Sequence, residues 1–273
     1  MHNWSAQGLR FESAHHVAWL RLDRPDRRNA IDKPLRQALI DAIAEVRADP
    51  DIRVGVITGT GTAFSAGADI LGQDPIEIEP AHRRGRLSNV AYEDALRYGW
   101  WRLTNALWDN EKPFIAAVNG PAVGGGCSLA LACDLVVAAE SAWFQEIFVN
   151  RGLPLEGGAA YLLPRAIGLP RAKEIAMFGD RVEAREAADW GLVNRVVPDA
   201  ELEAFVSEWA LRLANRPSIA LGHIKRQLNF GLESSLGQVF REEAVLLGIG
   251  GGDDQTEAMQ AFVERRPPHY TGK

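Results

Sequence analysis

The feature that most constrains this fold is a repeated order of short apolar strands and amphipathic helices. His16 to Asp23 alternates apolar and polar residues, and Arg53 to Gly59 is rich in β-branched residues, so each segment predicts a strand. A helix is predicted between them, beginning at Asp32 with Pro34 in its first turn. Together these elements predict a β-α-β unit.

The same order recurs later in the chain. It gives a helix from about Tyr92 to Trp108, a strand over Pro113 to Val118, a helix around Gly126 to Ala132, and a strand over Leu135 to Ala139. Strands that alternate with helices predict a largely parallel sheet with helices covering its faces. We therefore assign the chain to the α/β class.

No strand pattern remains after Pro198. Apolar residues recur at helical spacing over Leu202 to Leu213, Ile219 to Leu232 and Phe240 to Leu247. Two or three helices have little core of their own, so we expect them to dock on the sheet domain or on another subunit. The chain is accordingly divided into a core of residues 1–198 and a C-terminal helical region of residues 199–273.

Composition excludes several classes of protein. With 47% hydrophobic residues in 273, the chain has enough apolar side chains for a core without disulfides or metals. The net charge of -6 argues against nucleic acid or an anionic membrane as a partner. The only cysteines, Cys127 and Cys133, are predicted to be buried thiols. Without a signal pattern or a membrane-length apolar run, a cytoplasmic location is expected.

Two glycine-rich segments each follow a strand directly, namely Thr58 to Ile70 and Val118 to Asp134. Small residues let a ligand approach the backbone, and N–H groups at a helix start suit a developing oxyanion. The first segment could instead be a plain strand-to-helix turn, and it lacks the sequence of a phosphate-binding loop. In the second, the glycines could instead allow close helix–strand packing. The occurrence of both segments together favours a binding site.

The sequence resembles the enoyl-CoA hydratase/isomerase (crotonase) family over nearly its whole length and in the same order. The matching segments are LDRPDRRNAID from Leu22, VITGTGTAFSAGADI from Val56, KPFIAAVNGPAVGGGCSLALACDLVVAAESAWF from Lys112, GLPLEGGAAYLLPRAIG from Gly152 and EAREAADWGLVNRVVP from Glu183. The resemblance implies a spiral of ββα turns with a C-terminal helical region used for oligomerisation. It further implies homotrimers or dimers of trimers, an acyl-CoA thioester substrate, and no cofactor apart from the coenzyme A of that substrate.

The resemblance also assigns residues to the site. The backbone N–H groups of Ala68 and Gly125 would hold the thioester oxyanion. Arg28, and less clearly Arg27, would meet the CoA phosphates, although a solvated basic turn is the alternative. Arg83, Arg84 and Arg86 are further candidates of lower rank, and the other predicted substrate contacts are Ala30, Ala66, Asp69, Ile70, Ser128 and Phe148. For Asp69, local hydrogen bonds that fix its own loop are the alternative.

The catalytic carboxylates depart from the hydratase pattern. Hydratases of the family place two glutamates at positions occupied here by Ser128 and Phe148, whereas Glu156 matches the single catalytic glutamate of Δ3,Δ2-enoyl-CoA isomerases. Leu155 stands where that branch has proline. Apolar neighbours at Leu153, Leu155 and Tyr161 are predicted to raise the pKa of Glu156. A structural glutamate in a first helical turn is the alternative.

The remaining candidates rank lower. Glu146 is a rival carboxylate, interpreted as a surface acid, and Trp100 and Trp101 are candidates for lining the acyl pocket. None of the six histidines has metal-ligand spacing, so no metal site is expected. The sequence thus predicts an enzyme that shifts the double bond of an enoyl-CoA with one Glu base. An enoyl-CoA hydratase and a catalytically silent acyl-CoA-binding protein are the alternatives.

Overall fold

A computed structural model describes residues 2–70 and 99–273, and it places a parallel sheet at the centre of the molecule. The strands are β1 (His2–Ala6), β2 (Leu9–Ala14), β3 (Val17–Leu22), β4 (Val54–Gly59), β5 (Phe114–Val118), β6 (Ala122–Val123), β7 (Leu135–Ala139), β8 (Trp143–Gln145), β9 (Val182–Glu183) and β10 (Arg195–Val197).

Seven strands form the main sheet in the order β1-β2-β3-β4-β5-β7-β10, and a small sheet has the order β6-β8-β9. From β3 to β10 every pair in the main sheet is parallel, while β1, β2 and β3 pair antiparallel. The predicted α/β class and parallel sheet are confirmed. The N-terminal strands β1 and β2 were not predicted.

The described helices are α1 (Lys33–Ala48), α2 (Trp100–Trp108), α3 (Gly125–Ala132), α4 (Ala159–Ile167), α5 (Leu169–Phe178), α6 (Ala184–Trp190), α7 (Leu202–Ala214), α8 (Ser218–Gly231), α9 (Leu236–Ile249) and α10 (Gly252–Glu264). In the predicted β-α-β unit, Asp32 caps α1 by accepting a hydrogen bond from the Leu35 N–H at 2.9 Å. Pro34 lies in its first turn. The apolar stripe of α1 is buried and includes Leu35, Leu39, Ile43 and Val46.

The C-terminal region is helical, as predicted, and it is tied to the core. In α7, Leu202, Val206 and Ala210 are buried, and this helix contacts β3, β4, β5 and β7. On α8, the Lys225 ammonium lies 2.8 Å from the Asp134 carboxylate. One more helix is present than predicted, because α10 was missed. The division of roles at residue 198 stays a prediction.

Several predicted features lie outside the described residues, namely Arg83, Arg84, Arg86 and the first part of the helix expected from Tyr92. Both cysteines are free and buried, which confirms that prediction. Within residues 2–70 and 99–273, no helix is both long and apolar enough to cross a membrane.

Candidate active site

The two glycine-rich segments predicted from the sequence lie side by side. The Val123 N–H donates to the Ser65 carbonyl at 2.9 Å. Gly67, at φ +82°, sits so close to the second segment that a Cβ there would lie 2.5 Å from the Val123 oxygen and 3.0 Å from the Gly125 nitrogen. A side chain at this position would separate the segments, since backbone atoms cannot yield cheaply. The close approach therefore needs glycine.

Two backbone donors meet at this contact. The Ile31 N–H donates to the Gly67 oxygen at 2.7 Å and the Asp69 N–H donates to the Ile31 oxygen at 3.1 Å, which leaves the intervening Ala68 N–H without an acceptor among the described residues. Gly125 is the first residue of α3, so its N–H has no acceptor within the helix. Both N–H groups can therefore bind an outside oxygen atom.

A cavity of about 490 Å³ is connected to Gly125 through one of its lining side chains, Trp100. The Trp100 ring packs against Gly125, where a Cβ would lie 2.5 Å from the ring. Trp100 and Trp101 both line the cavity, as the sequence indicated. The other lining residues are Gly99, Thr104, Asn105, Trp108, Glu156, Gly157, Gly158, Tyr161, Leu162 and Glu233.

Glu156 reaches this cavity from a turn just before α4. The Ser128 hydroxyl donates to the Glu156 carbonyl at 3.0 Å, and the Thr104 hydroxyl donates to the Gly157 carbonyl at 2.8 Å. Gly157 and Gly158 both have positive φ, at 68° and 84°. These contacts hold the turn against α2 and α3. The carboxylate is thereby placed in the cavity whose wall also contacts Gly125.

The pKa of Glu156 is raised, which is the direction predicted from the sequence. Partial burial raises the pKa of its carboxyl group, and the positive charge of Arg36 opposes that rise. Glu156 is exposed as a whole residue, and of the three expected apolar neighbours only Tyr161 shares its cavity. Leu153 and Leu155 line a separate cavity, because the chain turns away from them before Glu156. That part of the prediction is wrong.

Arg36 was missed by the sequence analysis. It is half-buried on α1, and its guanidinium lies 5.8 Å from the Trp100 ring centroid. Burial lowers its pKa, and the nearby Glu156 carboxylate opposes that change. The periodicity of α1 places Arg36 next to the buried Leu35, but nothing in the sequence connects it with a residue 120 positions later. The site thus holds a cation beside the candidate base.

Asp69 does not act through local hydrogen bonds alone. It is 3% exposed and pairs with Arg24, whose Nη2 donates to its Oδ2 at 2.8 Å. Arg24 also donates to the carbonyl of the buried Ala30 at 2.7 Å. The loop after Gly67 is therefore fixed to the segment between β3 and α1. Arg24 had no signal in the sequence because its partner is 45 residues away.

The remaining predicted contacts fall on different surfaces. Arg28 is exposed at φ 50°, next to the exposed Arg27, and its carbonyl accepts a hydrogen bond from the half-buried Ala66 at 2.9 Å. Ile70 is exposed. Phe148 is buried and lines the separate cavity with Leu153. The structure therefore does not bring Phe148 into the cavity of Glu156, and Ser128 is occupied in supporting the turn.

Glu146 is a buried residue, so its interpretation as a surface acid is wrong. Glu146 directly follows β8 and continues its alternation of buried and partly exposed residues, so it is buried like Phe144 and lies against Cys127 of α3. Neither carboxyl oxygen of Glu146 has a hydrogen-bond partner of good geometry in the described part of the chain, and the Cys127 thiol beside it only partly opposes the effect of burial. Burial raises its pKa to about 8. At neutral pH this carboxyl group is therefore mainly protonated.

A family model described as enoyl-CoA hydratase/isomerase matches residues 12–273. The chain belongs to this family. It is 37% identical over 266 residues to the probable enoyl-CoA hydratase of Rhodobacter capsulatus, covering 97% of this chain and 98% of that protein. It is 34% identical over 258 residues to the 1,2-epoxyphenylacetyl-CoA isomerase of Escherichia coli, covering 94% and 95%.

Solved structures of the family have the same fold. The crystal structure of an enoyl-CoA hydratase from Bacillus anthracis aligns with a TM-score of 0.86 at 31% identity, covering 98% of this chain and all of that one. The predicted family and the predicted crotonase fold are confirmed. The chain is therefore an enzyme of the enoyl-CoA hydratase/isomerase family. Within its described residues, no group of three or more His, Cys, Asp or Glu could hold a metal ion.

Proposed function

We propose that this family member isomerises an enoyl-CoA by moving its double bond, with Glu156 as the single base. One observation carries the proposal. Glu156 and Trp100 line one cavity, and the Trp100 ring packs on Gly125, so one side chain joins the cavity of the candidate base to the segment that carries a free backbone donor. A base beside an oxyanion site is the arrangement needed to remove a proton next to a thioester carbonyl.

The chemistry follows from these positions. The N–H groups of Ala68 and Gly125 donate hydrogen bonds to the thioester oxygen, and each such donor can stabilise the enolate by about 3 kcal/mol. Glu156 removes the C2 proton of a 3-enoyl-CoA, the electrons spread into a dienolate, and the same carboxyl group returns the proton at C4. The double bond then lies between C2 and C3. No cofactor beyond the coenzyme A of the substrate takes part.

Arg36 gives Glu156 a suitable protonation state. Partial burial raises the pKa of Glu156, which makes its carboxylate a stronger base, while the Arg36 charge limits that rise. A base is most effective when its pKa lies near the operating pH but it remains ionised. These two opposing effects support Glu156 as the proton carrier.

The other predicted site residues either contact the substrate or support the residues that do. Arg28, with Arg27 beside it, is exposed and can pair with CoA phosphate oxygens. Ala30, Ala66 and Ile70 border the same loops and would contact the substrate. Asp69 positions the first glycine-rich segment through its ion pair with Arg24. Ser128 joins the second segment to the turn of Glu156 by donating a hydrogen bond to the Glu156 carbonyl. Phe148 packs near Gly124, and a Cβ added at Gly124 would lie 3.8 Å from the Phe148 ring.

Hydration of an enoyl-CoA is the second candidate. Most relatives are named hydratases, and Glu233 lines the same cavity as Glu156, so two carboxylates face one space. Two carboxylates could hold and activate water, as the hydratases of the family do with a different pair. Glu233 is exposed and interacts with Tyr161. The proposed isomerase mechanism assigns no role to Glu233.

Product analysis separates the candidates. The enzyme is incubated with 2-enoyl-, 3-enoyl- and 3-hydroxyacyl-CoA, and products are identified by mass and by absorbance of the conjugated thioester. We expect interconversion of the 2-enoyl and 3-enoyl forms with no change in mass. A gain of 18 mass units, from one added water molecule, would show hydration instead. Binding of all three thioesters without any turnover would leave only an acyl-CoA-binding protein.

We also propose that the enzyme is a homotrimer or a dimer of trimers. Several large apolar side chains of the C-terminal helices are exposed in the single chain, namely Leu228, Leu236, Phe240, Leu247, Ile249, Phe262 and Val263. Exposed large apolar side chains in this number on neighbouring helices favour an interface with another subunit. Sedimentation at micromolar concentration should give a mass at least three times 29.9 kDa. A stable monomer would contradict the proposal.

A cytoplasmic location completes the proposal. The two buried free thiols, Cys127 and Cys133, fit a reducing compartment. The acidic net charge gives no reason to expect a nucleic acid or a membrane as a partner. Fractionation of the producing cells, with the protein followed by antibody, tests the location.

A further inference from the structure

The Glu156 cavity extends along one face of α2. Trp100, Thr104 and Trp108 are spaced four residues apart, and all three line it. Eight residues of α-helix span about 12 Å. At one end Trp100 packs on Gly125, and at the other Trp108 packs on Tyr161. The cavity therefore runs along α2 from Trp100, which contacts Gly125, to a distal wall formed by Trp108 and Tyr161.

Four aromatic side chains line this cavity, together with the polar side chains of Thr104, Asn105, Glu156 and Glu233. Trp108 and Tyr161 meet edge to face, with ring centroids 5.5 Å apart. The Arg165 guanidinium stacks on the Tyr161 ring at 3.5 Å, which fixes the phenol in place. Trp101 contributes a third indole and is half exposed. Leu162 is the one aliphatic side chain among the described lining residues.

We propose that the cavity receives an aromatic acyl group, so that the substrate class is aryl-substituted acyl-CoA thioesters rather than linear fatty acyl-CoA thioesters. The inference rests on the proposed function for the position of the thioester. A planar ring packs edge to face or offset against indole and phenol rings, and it has few torsions to freeze. A linear chain loses more rotamer freedom in the same space and gains no ring contacts.

Binding distinguishes the two substrate classes without requiring turnover. Phenylacetyl-CoA and hexanoyl-CoA have no double bond to shift, so their dissociation constants can be measured by titration calorimetry on the wild-type enzyme. We expect phenylacetyl-CoA to bind at least tenfold more tightly. Equal affinity, or tighter binding of hexanoyl-CoA, would overturn this inference and leave the isomerase proposal intact. If neither thioester bound better than free CoA, acyl-CoA recognition itself would fail.

Variants locate the preference in the distal wall. Trp108→Leu should weaken phenylacetyl-CoA binding about tenfold and change hexanoyl-CoA binding less than threefold. Trp190→Leu is the matched control, because Trp190 lies outside this cavity on α6, where Arg171 stacks on it at 5.4 Å. Thermal melting checks that each variant folds. If Trp108→Leu unfolds, Trp101→Leu replaces it, since Trp101 is half exposed. An equal loss for both ligands, or none, would contradict the assignment.

Discussion

Replacement of Glu146 by Gln should make the protein more stable at alkaline pH. The Glu146 carboxyl group is fully buried beside Cys127, with neither oxygen in a hydrogen bond of good geometry among the described residues. Its pKa rises to about 8 in the folded protein, against 4.5 for an ordinary glutamate. When the pKa of a group is higher in the folded than in the unfolded protein, its contribution to the free energy of unfolding is complete at pH values below the unfolded pKa. That contribution is lost as pH increases toward the folded value.

The size of the effect follows from that shift. Each pH unit between about 4.5 and 8 should lower the free energy of unfolding by about 1.4 kcal/mol, with a ceiling of about 5 kcal/mol. Between pH 5 and pH 8.5 we expect a loss of about 2 to 4 kcal/mol from this group, since water penetration reduces the ceiling. The adjacent Cys127 thiol adds little to it, because a thiol in the unfolded chain ionises only near or above the upper end of this pH range.

Urea unfolding at pH 5, 7 and 8.5 measures this loss. Glu146→Gln keeps the shape of the neutral acid but cannot ionise, so the stability difference between variant and wild type should grow with pH. Glu174→Gln, an exposed substitution on α5, is the control and should follow the wild type. Glu146→Gln should also retain turnover. Parallel pH profiles of wild type and Glu146→Gln would refute the reasoning.

Two further substitutions test the site. Gly67→Ala should reduce turnover at least tenfold without abolishing folding. Its methyl group would lie 2.5 Å from the Val123 oxygen and push the two glycine-rich segments apart. An unchanged kcat in a spectrophotometric assay would contradict this. Arg36→Met should raise the apparent pKa of Glu156, because it removes the charge that lowers it, so the acid limb of the kcat profile should move to higher pH. A profile that does not move would exclude Arg36 from that role.

Helix caps and hydrophobic periodicity involve only neighbouring residues, and they predicted strands and helices that the structure confirms. The strand Leu135–Ala139 has the predicted bounds, and α1 begins after Asp32 as its cap and proline indicated. The two glycine-rich segments were identified as a candidate binding site, and the parallel sheet brings the ends of the strands before them to one edge. Glycine at position 67 then explains how closely they approach.

What the sequence did not show depends on partners distant in the chain. The pairing of Asp69 with Arg24 and the charge of Arg36 beside Glu156 join residues from separate elements, for which no spacing rule exists. Glu146 was misjudged for a related reason. A charged residue is usually exposed, and only the alternation of β8 against α3 shows that this one is buried.

The most direct test of the central claim is the rate of 3-enoyl-CoA isomerisation by Glu156→Gln, measured together with its affinity for the thioester. The amide keeps the shape of the side chain but cannot accept the C2 proton. The account predicts that kcat falls about 100- to 10,000-fold while the dissociation constant changes less than threefold. Full turnover by Glu156→Gln would show that another group moves the proton, and the proposed mechanism would be wrong.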